Sequence, residues 1–352
     1  MLKNTDSHRE NSSILVSSRI RLARNLKGKK FAPCANSRQL EDIYQTCSEA
    51  LSKVSRLRDA REYNMAAVSE LDREFLAETR AISKELDTSA LGRGAFVLPD
   101  GLTSVFINEE DHIRIQLMGG GATLLSLYKK ASALDDEIEK RLEFAFSADM
   151  GYITSCPTNM GTGMRASVML HLPVLSITND VEKIVRAVNQ MGMVIRGANG
   201  EGSDSVNSYF QLSNQQTLGV SEADIVEKIK TFCKKICQFE SDARYKMLED
   251  EPLVLADKFL RARSTLSSCK LIDTQEALSL ISVMRLAADM NLMDTDAGAL
   301  ARLDKLALDI KPAHLCKLFD IKPDDGARRD AVRAEYLNAE ISKLPEFKLA
   351  GI

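Results

Sequence analysis

Alternation of apolar and polar residues is the clearest pattern in the first two thirds of the chain, and it predicts β-strands. Residues 111–118 show it best, because apolar side chains occupy every second position. The apolar face comprises Ile113, Ile115 and Leu117, and the polar face comprises His112, Arg114 and Gln116. A period of two is typical of a half-buried strand. Residues 206–213, after Gly200 and Gly202, and residues 193–196 are predicted as further strands.

A short helix is predicted between two of these strands. Asp180 can cap its first turn, because an aspartate side chain accepts hydrogen bonds from free backbone N–H groups. Ile184, Val188 and Met191 then fall on one side of the helix. Strands that mostly lack long crossover helices favour an antiparallel sheet. We therefore expect an α+β domain, an antiparallel sheet flanked by helices.

The pattern becomes helical from about residue 220. Ser221 and Asp224 resemble a weak capping box. The apolar residues that follow have the spacing of an amphipathic helix. They are Ile225, Ile229, Phe232, Ile236 and Phe239. Since residues from 253 onward are nearly all helical in pattern, we place a boundary near residue 245, between an α+β domain (14–245) and an all-helical C-terminal domain (246–352).

Composition narrows the class of protein. The 352 residues, 44% hydrophobic and 28% charged, fit roughly two globular domains. A net charge of −3 supplies no broad field for nucleic acid or a membrane. The N-terminus lacks the apolar core of a signal peptide, and no apolar run approaches the roughly 20 residues that span a bilayer. Seven cysteines without C-x-x-C spacing argue against disulfides and a zinc ribbon, so we expect a cytoplasmic protein with reduced thiols.

Arginines are the candidates for binding phosphate groups. The chain contains neither a P-loop nor the motif set of the protein kinases. A planar guanidinium can instead donate two hydrogen bonds to phosphate oxygens. Five arginines lie at predicted strands or glycine turns, namely Arg19, Arg21, Arg114, Arg165 and Arg196. Each alone is most often a surface charge, but their common placement favours a convergent cluster.

Acidic residues and one cysteine are candidates for further chemistry. The run 108–112 precedes a strand and is either a solvated turn or part of a site. Glu201 lies between Gly200 and Gly202 and allows the same two interpretations. Cys156 ends the alternating segment 152–156 before a proline. It is either a buried small hydrophobe or a partly ionised thiol.

Four blocks of sequence resemble the signature blocks of the phosphagen kinases. They are Ser-Ser-Arg-Ile-Arg (17–21), Asn-Glu-Glu-Asp-His-Ile-Arg (108–114), Cys-Pro-Thr-Asn-Met-Gly-Thr-Gly-Met-Arg (156–165) and Arg-Gly-Ala-Asn-Gly-Glu (196–201). The blocks occur in the family's order. Within the family, the resemblance is greatest to the bacterial protein arginine kinases, and it extends over essentially the whole chain.

The resemblance implies a site for ATP with Mg²⁺ and roles for individual residues. The ATP-binding segments implied are Ser17, Ser18, Arg19, Ile20, Arg21, Arg114, Arg165, Ala166, Ser167, Val168, Met169, Arg196, Gly197, Ala198, Asn199, Gly200 and Glu201. Glu110 and Glu201 match the carboxylates that hold and deprotonate the substrate guanidinium, and Cys156 matches the thiol beside it. Arg80 is also an implied ATP-binding residue; it stands where the family usually has a histidine near adenine, and an arginine there could stack on the purine. No metal-ligating residue of the chain is implied.

The C-terminal domain carries a further matching motif. The family's R-D-x-x-R-A motif, which binds phosphoarginine allosterically, is matched by Arg329, Asp330, Ala331, Val332, Arg333 and Ala334. The spacing i, i+4 places the two arginines on one helix face. From the residues alone, a solvated helix near Asp330 and Glu335 is the alternative.

The resemblance implies transfer of the γ-phosphoryl group of ATP to arginine side chains of proteins, which marks them for Clp-type proteolysis. Kinases of free arginine or creatine carry a helical domain before the first block, which here begins at residue 17, so we expect an uncovered site that admits a protein surface. The family also implies a zinc-binding activator protein and a Clp ATPase as partners, and an exposed helical stripe could support a homodimer. A kinase of small guanidino compounds and a non-catalytic phosphoarginine-binding adaptor are the alternatives.

Overall fold

The computed structural model describes residues 13–197, 207–293 and 298–348 of the chain. The strands in these ranges are β1 (Leu15–Arg24), β2 (Arg61–Asn64), β3 (Gly94–Val97), β4 (Thr103–Ile107), β5 (Ile113–Gly120), β6 (Phe146–Ser147), β7 (Gly151–Tyr152), β8 (Met164–His171), β9 (Met193–Gly197) and β10 (Tyr209–Asn214). The helices are α1 (Ser37–Leu51), α2 (Glu70–Glu78), α3 (Leu124–Glu139), α4 (Pro173–Ile177), α5 (Val181–Gln190), α6 (Glu222–Asp250), α7 (Pro252–Ser268), α8 (Thr274–Asp289), α9 (Ala299–Asp309), α10 (Pro312–Phe319) and α11 (Gly326–Ile341).

Eight strands form one antiparallel sheet in the order β2-β3-β4-β5-β1-β8-β10-β9, and β6 and β7 form a small separate hairpin. The long strands β1, β5 and β8 lie at the centre. One face of this centre packs against helices in the largest core, which includes Ile20, Ile115 and Val168. The side chains on the opposite face of these strands lie outside this core. The predicted α+β class is confirmed.

The three strands predicted from alternation are present. Ile113, Ile115 and Leu117 of β5 are buried as predicted. Arg114 and Gln116 on the opposite face are also almost fully buried, so this polar face is not an ordinary solvated surface. The alternating segment 152–156 is a strand only at its first residue, because β7 ends at Tyr152.

The two predicted helix starts have different outcomes. The capping box of α6 is confirmed, since Ser221 and Asp224 accept hydrogen bonds from each other's backbone N–H groups. Asp180 precedes α5 but makes no side-chain cap, because its carboxylate pairs with Lys183 and Thr178. That prediction was wrong. The predicted apolar faces of the two helices are also wrong at Met191 and Phe239, because both side chains are exposed.

Helices α7, α8, α9 and α11 build a second core with Phe259, Met284 and Leu337 among its buried residues. The predicted boundary at residue 245 falls inside α6, which is one continuous helix. Ile236 of α6 belongs to the large core, whereas Met247 belongs to the helical one. The division into domains therefore remains a prediction, and α6 belongs to both cores. Within the described ranges, no helix is both long and apolar enough to cross a bilayer.

A glycine turn sets the start of β8 against β1. Gly163 has φ +62°, and a Cβ built there would lie 2.5 Å from Arg24 Nη1 and 2.6 Å from the carbonyl oxygen of Ala23. Any side chain would therefore separate the two strands. Gly101 has a similar φ of +67°, but a Cβ there would meet nothing within 4 Å.

We predict that Gly163→Ala lowers the melting temperature far more than Gly101→Ala. Both variants carry the backbone strain of an alanine at positive φ, about 1–2 kcal/mol. Only Gly163→Ala adds a clash with backbone. Thermal unfolding followed by circular dichroism measures the difference, and equal melting temperatures for the two variants would refute it.

Candidate active site

Three arginines share the sheet face that lies opposite the large core. Arg19 and Arg21 flank Ile20, which is fully buried in that core, so both point the other way. Arg165 of β8 is paired directly with Arg21, and paired residues of antiparallel strands lie on the same face. Arg19 donates from Nη2 to Oε1 of Gln211 in β10 at 2.8 Å. The side chains therefore converge, as the sequence led us to expect.

Two more arginines extend this face to either side. Arg114 of β5 is paired with Ala23, two residues beyond Arg21 in β1. Arg196 of β9 is paired with Gln211. Together with Glu110 and Gln211, four of the five arginines line an open cleft of about 740 Å³. We call the face that carries these five residues the arginine face.

The positive charges of the arginine face act on one another. Burial, followed by the charges of Arg21 and Arg80, holds the pKa of Arg19 well below its usual value. Burial and the charges of Arg114 and Arg165 lower the pKa of Arg21 to about 10. Because neighbouring like charges repel, a polyanion bound among them would relieve a cost that the free protein carries.

Carboxylates balance only part of the arginine face. Among the described residues, none forms an ion pair with Arg21 or Arg165, and the Nε atoms of both are buried without a hydrogen-bond partner. Arg114 differs, because Nη1 pairs with Glu109 and Nη2 with Glu110 Oε2 at 2.7 Å. Burial would lower the pKa of Arg114, but these carboxylates outweigh it and raise that pKa.

The acidic run 108–112 is a buried polar cluster, so the solvated turn is excluded. Glu109 is 3% exposed and accepts hydrogen bonds from the Ser83 hydroxyl and the Glu110 backbone N–H. Asp111 is fully buried, and its Oδ1 accepts from Asn25 Nδ2 at 2.6 Å and the Ser155 N–H at 2.7 Å. These bonds join three distant chain segments.

Glu110 is the member of this run that reaches the cleft. Its side chain is 41% exposed, whereas those of Glu109 and Asp111 are fully buried. Arg114 fixes its carboxylate from one side. A carboxylate held in this way, with one side open to the cleft, can bind an incoming cation such as a guanidinium.

Cys156 lies on the loop that Asp111 ties down through Ser155. It is partly exposed, with its Sγ 3.0 Å from the hydroxyl of Thr158. Burial, followed by the charge of Arg196, lowers the pKa of Arg165. Negative charge on Cys156 and Glu110 acts against this shift. Cys156 and Glu110 therefore both lie near Arg165.

Arg80 lies beside the arginine face in a strained conformation. It follows α2 with φ +62°, a position that glycine occupies at least cost. Its carbonyl oxygen accepts from Gln116 Nε2 at 2.8 Å, which ties it to β5. The role of Arg80 in binding ATP remains a prediction.

Several predicted residues of the ATP-binding blocks have other places. Ala166 and Val168 are buried in the large core, while Ser18 donates to the carbonyl oxygen of Gly121 at 2.7 Å. Ser17 and Met169 are paired with each other across β1–β8, next to the pair of Ser167 and Arg19. The predicted residues Ala198, Asn199, Gly200 and Glu201 lie outside the described residues.

Three residues near the site were missed by the sequence analysis. They are Glu85 and Gln211, which line the cleft, and Lys311, the residue before the first turn of α10. Lys311 donates from Nζ to the carbonyl oxygen of Glu78 at 3.0 Å, two residues before Arg80 in the chain. Burial, followed by the charge of Arg80, lowers the pKa of Lys311 to about 8. The alternation around β10 could have indicated Gln211, but no local pattern could have indicated Lys311.

The predicted phosphoarginine motif lies on α11, and its two arginines differ. Arg333 is 1% exposed and donates to the carbonyl oxygens of Ile310 at 2.9 Å and Ile272 at 2.8 Å. Arg329 is partly exposed and donates to the carbonyl oxygen of Pro323. The solvated helix is therefore excluded for Arg333. The phosphoarginine role remains a prediction.

Comparisons with known families agree with this geometry. Residues 42–243 match the family of the ATP:guanido phosphotransferase C-terminal catalytic domain, and residues 252–350 match the protein-arginine kinase McsB C-terminal domain. The protein-arginine kinase of Syntrophomonas wolfei is 40% identical over 94% of this chain and 92% of its own. That of Bacillus subtilis is 36% identical over the same shares of the two chains.

Solved structures of phosphagen kinases share the fold. Lombricine kinase, at 24% identity, superposes with a TM-score of 0.56 over 67% of each chain. The duplicated taurocyamine kinase of Schistosoma mansoni, at 25% identity, gives a TM-score of 0.60 over 88% of this chain and 47% of its own. One family matches more than half of the chain, and curated relatives match nearly all of it. The chain therefore belongs to the protein-arginine kinases of the ATP:guanido phosphotransferase family.

Proposed function

We propose that the protein transfers the γ-phosphoryl group of ATP to arginine side chains of other proteins. The observation that carries this proposal is the arginine face, where Arg21 and Arg165 have no carboxylate partner among the described residues and lie beside the half-exposed Glu110. Such a face fits a polyphosphate, and Glu110 fits a cation next to it. The names of its relatives support the choice of protein arginine as acceptor.

The arginines would hold the triphosphate and the charge that develops during transfer. At an effective dielectric constant near 20, one charge pair at 4 Å contributes about 4 kcal/mol, so each arginine matters. Among the described residues, no three His, Cys, Asp or Glu side chains form a group that could hold a metal ion. Mg²⁺ would be bound on the nucleotide phosphates, where it would neutralise charge on the oxygens.

The acceptor guanidinium must lose a proton while it attacks. Its pKa is about 12.5 and that of a free glutamate about 4.3, so full proton transfer before attack would cost about 11 kcal/mol. We infer that the proton leaves as the N–P bond forms. Glu110 would hold the guanidinium in line with the γ-phosphorus, and Glu201 is proposed as its second carboxylate, with one of them taking the proton late.

Arg114 connects the proposed phosphate site with the proposed guanidinium site. Its Nη2 donates to Glu110, and its Nη1 pairs with the buried Glu109. Glu109 thereby keeps Arg114 oriented, and Arg114 keeps Glu110 in place. Cys156 would add a negative group beside the guanidinium when ionised, an assisting role.

The regulation and cellular setting proposed here extend this activity. Phosphoarginine would bind next to Arg329 and Arg333 on α11 and adjust the rate. A zinc-binding activator protein, a Clp ATPase that degrades modified proteins, and a homodimer complete the proposal. A cytoplasmic location is consistent with the seven cysteines, which are all unpaired.

The first prediction of the proposed function separates the acceptors and tests Glu110. With ATP and Mg²⁺, the protein should form acid-labile phosphoarginine on casein and none on free arginine, as measured by intact-mass spectrometry at neutral pH. Glu110→Gln should reduce turnover at least 1,000-fold while ATP still binds, because the amide keeps the shape but not the charge that holds the guanidinium. Glu143→Gln, a change at an exposed ion pair, is the control. Labelled free arginine would favour the small-molecule kinase, and phosphopeptide binding without ADP release the adaptor.

The second prediction concerns the cost of the arginine face. Arg165→Met should raise the melting temperature of the free protein by a few degrees at low salt, because one repelling charge is removed from a half-buried site. Tripolyphosphate should stabilise the wild type but the variant much less. Differential scanning fluorimetry measures both effects, with the exposed Arg186→Met as control. A variant less stable than the wild type, yet equally stabilised by tripolyphosphate, would contradict the assignment.

The third prediction addresses the motif on α11. Arg329→Ala should remove the response to added phosphoarginine, so that the ratio of casein-labelling rates with and without it approaches one. The neighbouring Arg328→Ala, at an exposed position, should keep the wild-type ratio. A response that survives Arg329→Ala would place the effector elsewhere.

A further inference from the structure

A buried chain of hydrogen bonds joins the helical region to the sheet. Arg285 and Ser282 lie three residues apart on α8 and face His171, the last residue of β8. Arg285 Nη1 lies 3.1 Å from His171 Nδ1, and His171 Nε2 lies 2.8 Å from Ser282 Oγ. Ser282 in turn donates to the carbonyl oxygen of Asn207 at 2.8 Å.

The direction of every bond in this chain is fixed. An arginine can only donate, so Nδ1 of His171 accepts and Nε2 carries the proton. The Ser282 hydroxyl then accepts a hydrogen bond from His171 Nε2 and donates one to the carbonyl oxygen of Asn207. Burial, aided by the charge of Arg285, holds the pKa of His171 well below its usual value, so the ring stays neutral and in one tautomer.

The chain ends where two strands of the arginine face begin. Asn207 lies two residues before Tyr209, the first residue of β10, and the ring of Tyr209 packs on that of His171 with centroids 4.8 Å apart. Two residues further on, Gln211 accepts the hydrogen bond of Arg19. Arg285 holds the other strand too, because its Nη2 donates at 3.1 Å to the carbonyl oxygen of Ser13, just before β1.

We propose that Ser282 and Arg285 are positioning residues for the nucleotide, by which the helical region fixes the starts of β1 and β10 and hence the Arg19–Gln211 pair. Neither residue touches the cleft. Ser282 would act through Asn207 and Gln211 on Arg19, which the proposed function assigns to ATP. The inference rests on that assignment.

The structure offers a control for loss of a hydroxyl hydrogen bond. Tyr336 of α11 donates to Asp309 Oδ2 at 2.8 Å, within the helical region and away from the sheet. Tyr336→Phe and Ser282→Ala each remove a hydroxyl hydrogen bond from the helical region. Both should lower the melting temperature, since the partner groups lose a bond.

The test compares ATP affinity in the full-length chain by isothermal titration calorimetry with Mg²⁺ present. Ser282→Ala should raise the Kd of ATP 5- to 10-fold, with a matching rise in KM for ATP and a kcat within twofold of the wild type. Tyr336→Phe should keep the wild-type Kd. Ser282→Cys, which retains a weak donor, should give an intermediate Kd, and it replaces the alanine variant if that variant does not fold.

The outcomes separate the inference from the proposed function. An unchanged Kd in Ser282→Ala and Ser282→Cys, or an equal rise in Tyr336→Phe, would overturn the inference, because the network would then be only a support of the fold. A wild-type protein that binds no ATP would contradict the proposed function itself.

Discussion

The structure depends on keeping several positive charges together on one face of a sheet. Arg21 and Arg165 are direct neighbours across β1 and β8, and carboxylates of the described residues do not pair with them. The backbone ladder and the large apolar core on the opposite face hold these strands in register despite the repulsion. The free protein thus stores electrostatic energy that a polyanion can release, a common relation between stability and function.

The three carboxylates of residues 109–111 differ in what they contact. Glu109 and Asp111 are buried and serve Arg114 and the Cys156 loop, while Glu110 alone of the three opens to the cleft. A carboxylate next to Arg21 or Arg165 would compete with phosphate. The uneven distribution therefore separates a positively charged region from a region with a half-exposed carboxylate within one cleft.

Local pattern predicted the elements well and their surroundings poorly. The alternation in β5 and the capping box at Ser221 depend on neighbours in sequence, so both could be predicted. The burial of Asp111 depends on Asn25 and Ser155, which lie 86 and 44 residues away, so it could not. For the same reason, periodicity alone could not show that Phe239 is exposed.

The candidate site shows the same limit. The blocks of sequence indicated which arginines to consider, and β-strand periodicity gave the face for Arg19 and Arg21. Periodicity could not show that Glu109 balances Arg114, or that Arg333 spends its donors on two backbone carbonyl groups. These facts depend on which segments meet in three dimensions.

The continuity of α6 has a consequence for how the molecule can be divided. A cut of the chain between Ile236 and Met247 would give two fragments, and each would lack part of the apolar surface that its core needs. The α+β part and the helical part are therefore poor candidates for separate expression or for exchange between relatives. A protease would also find no extended linker at this junction, so the two parts should be made, stabilised and degraded as one unit.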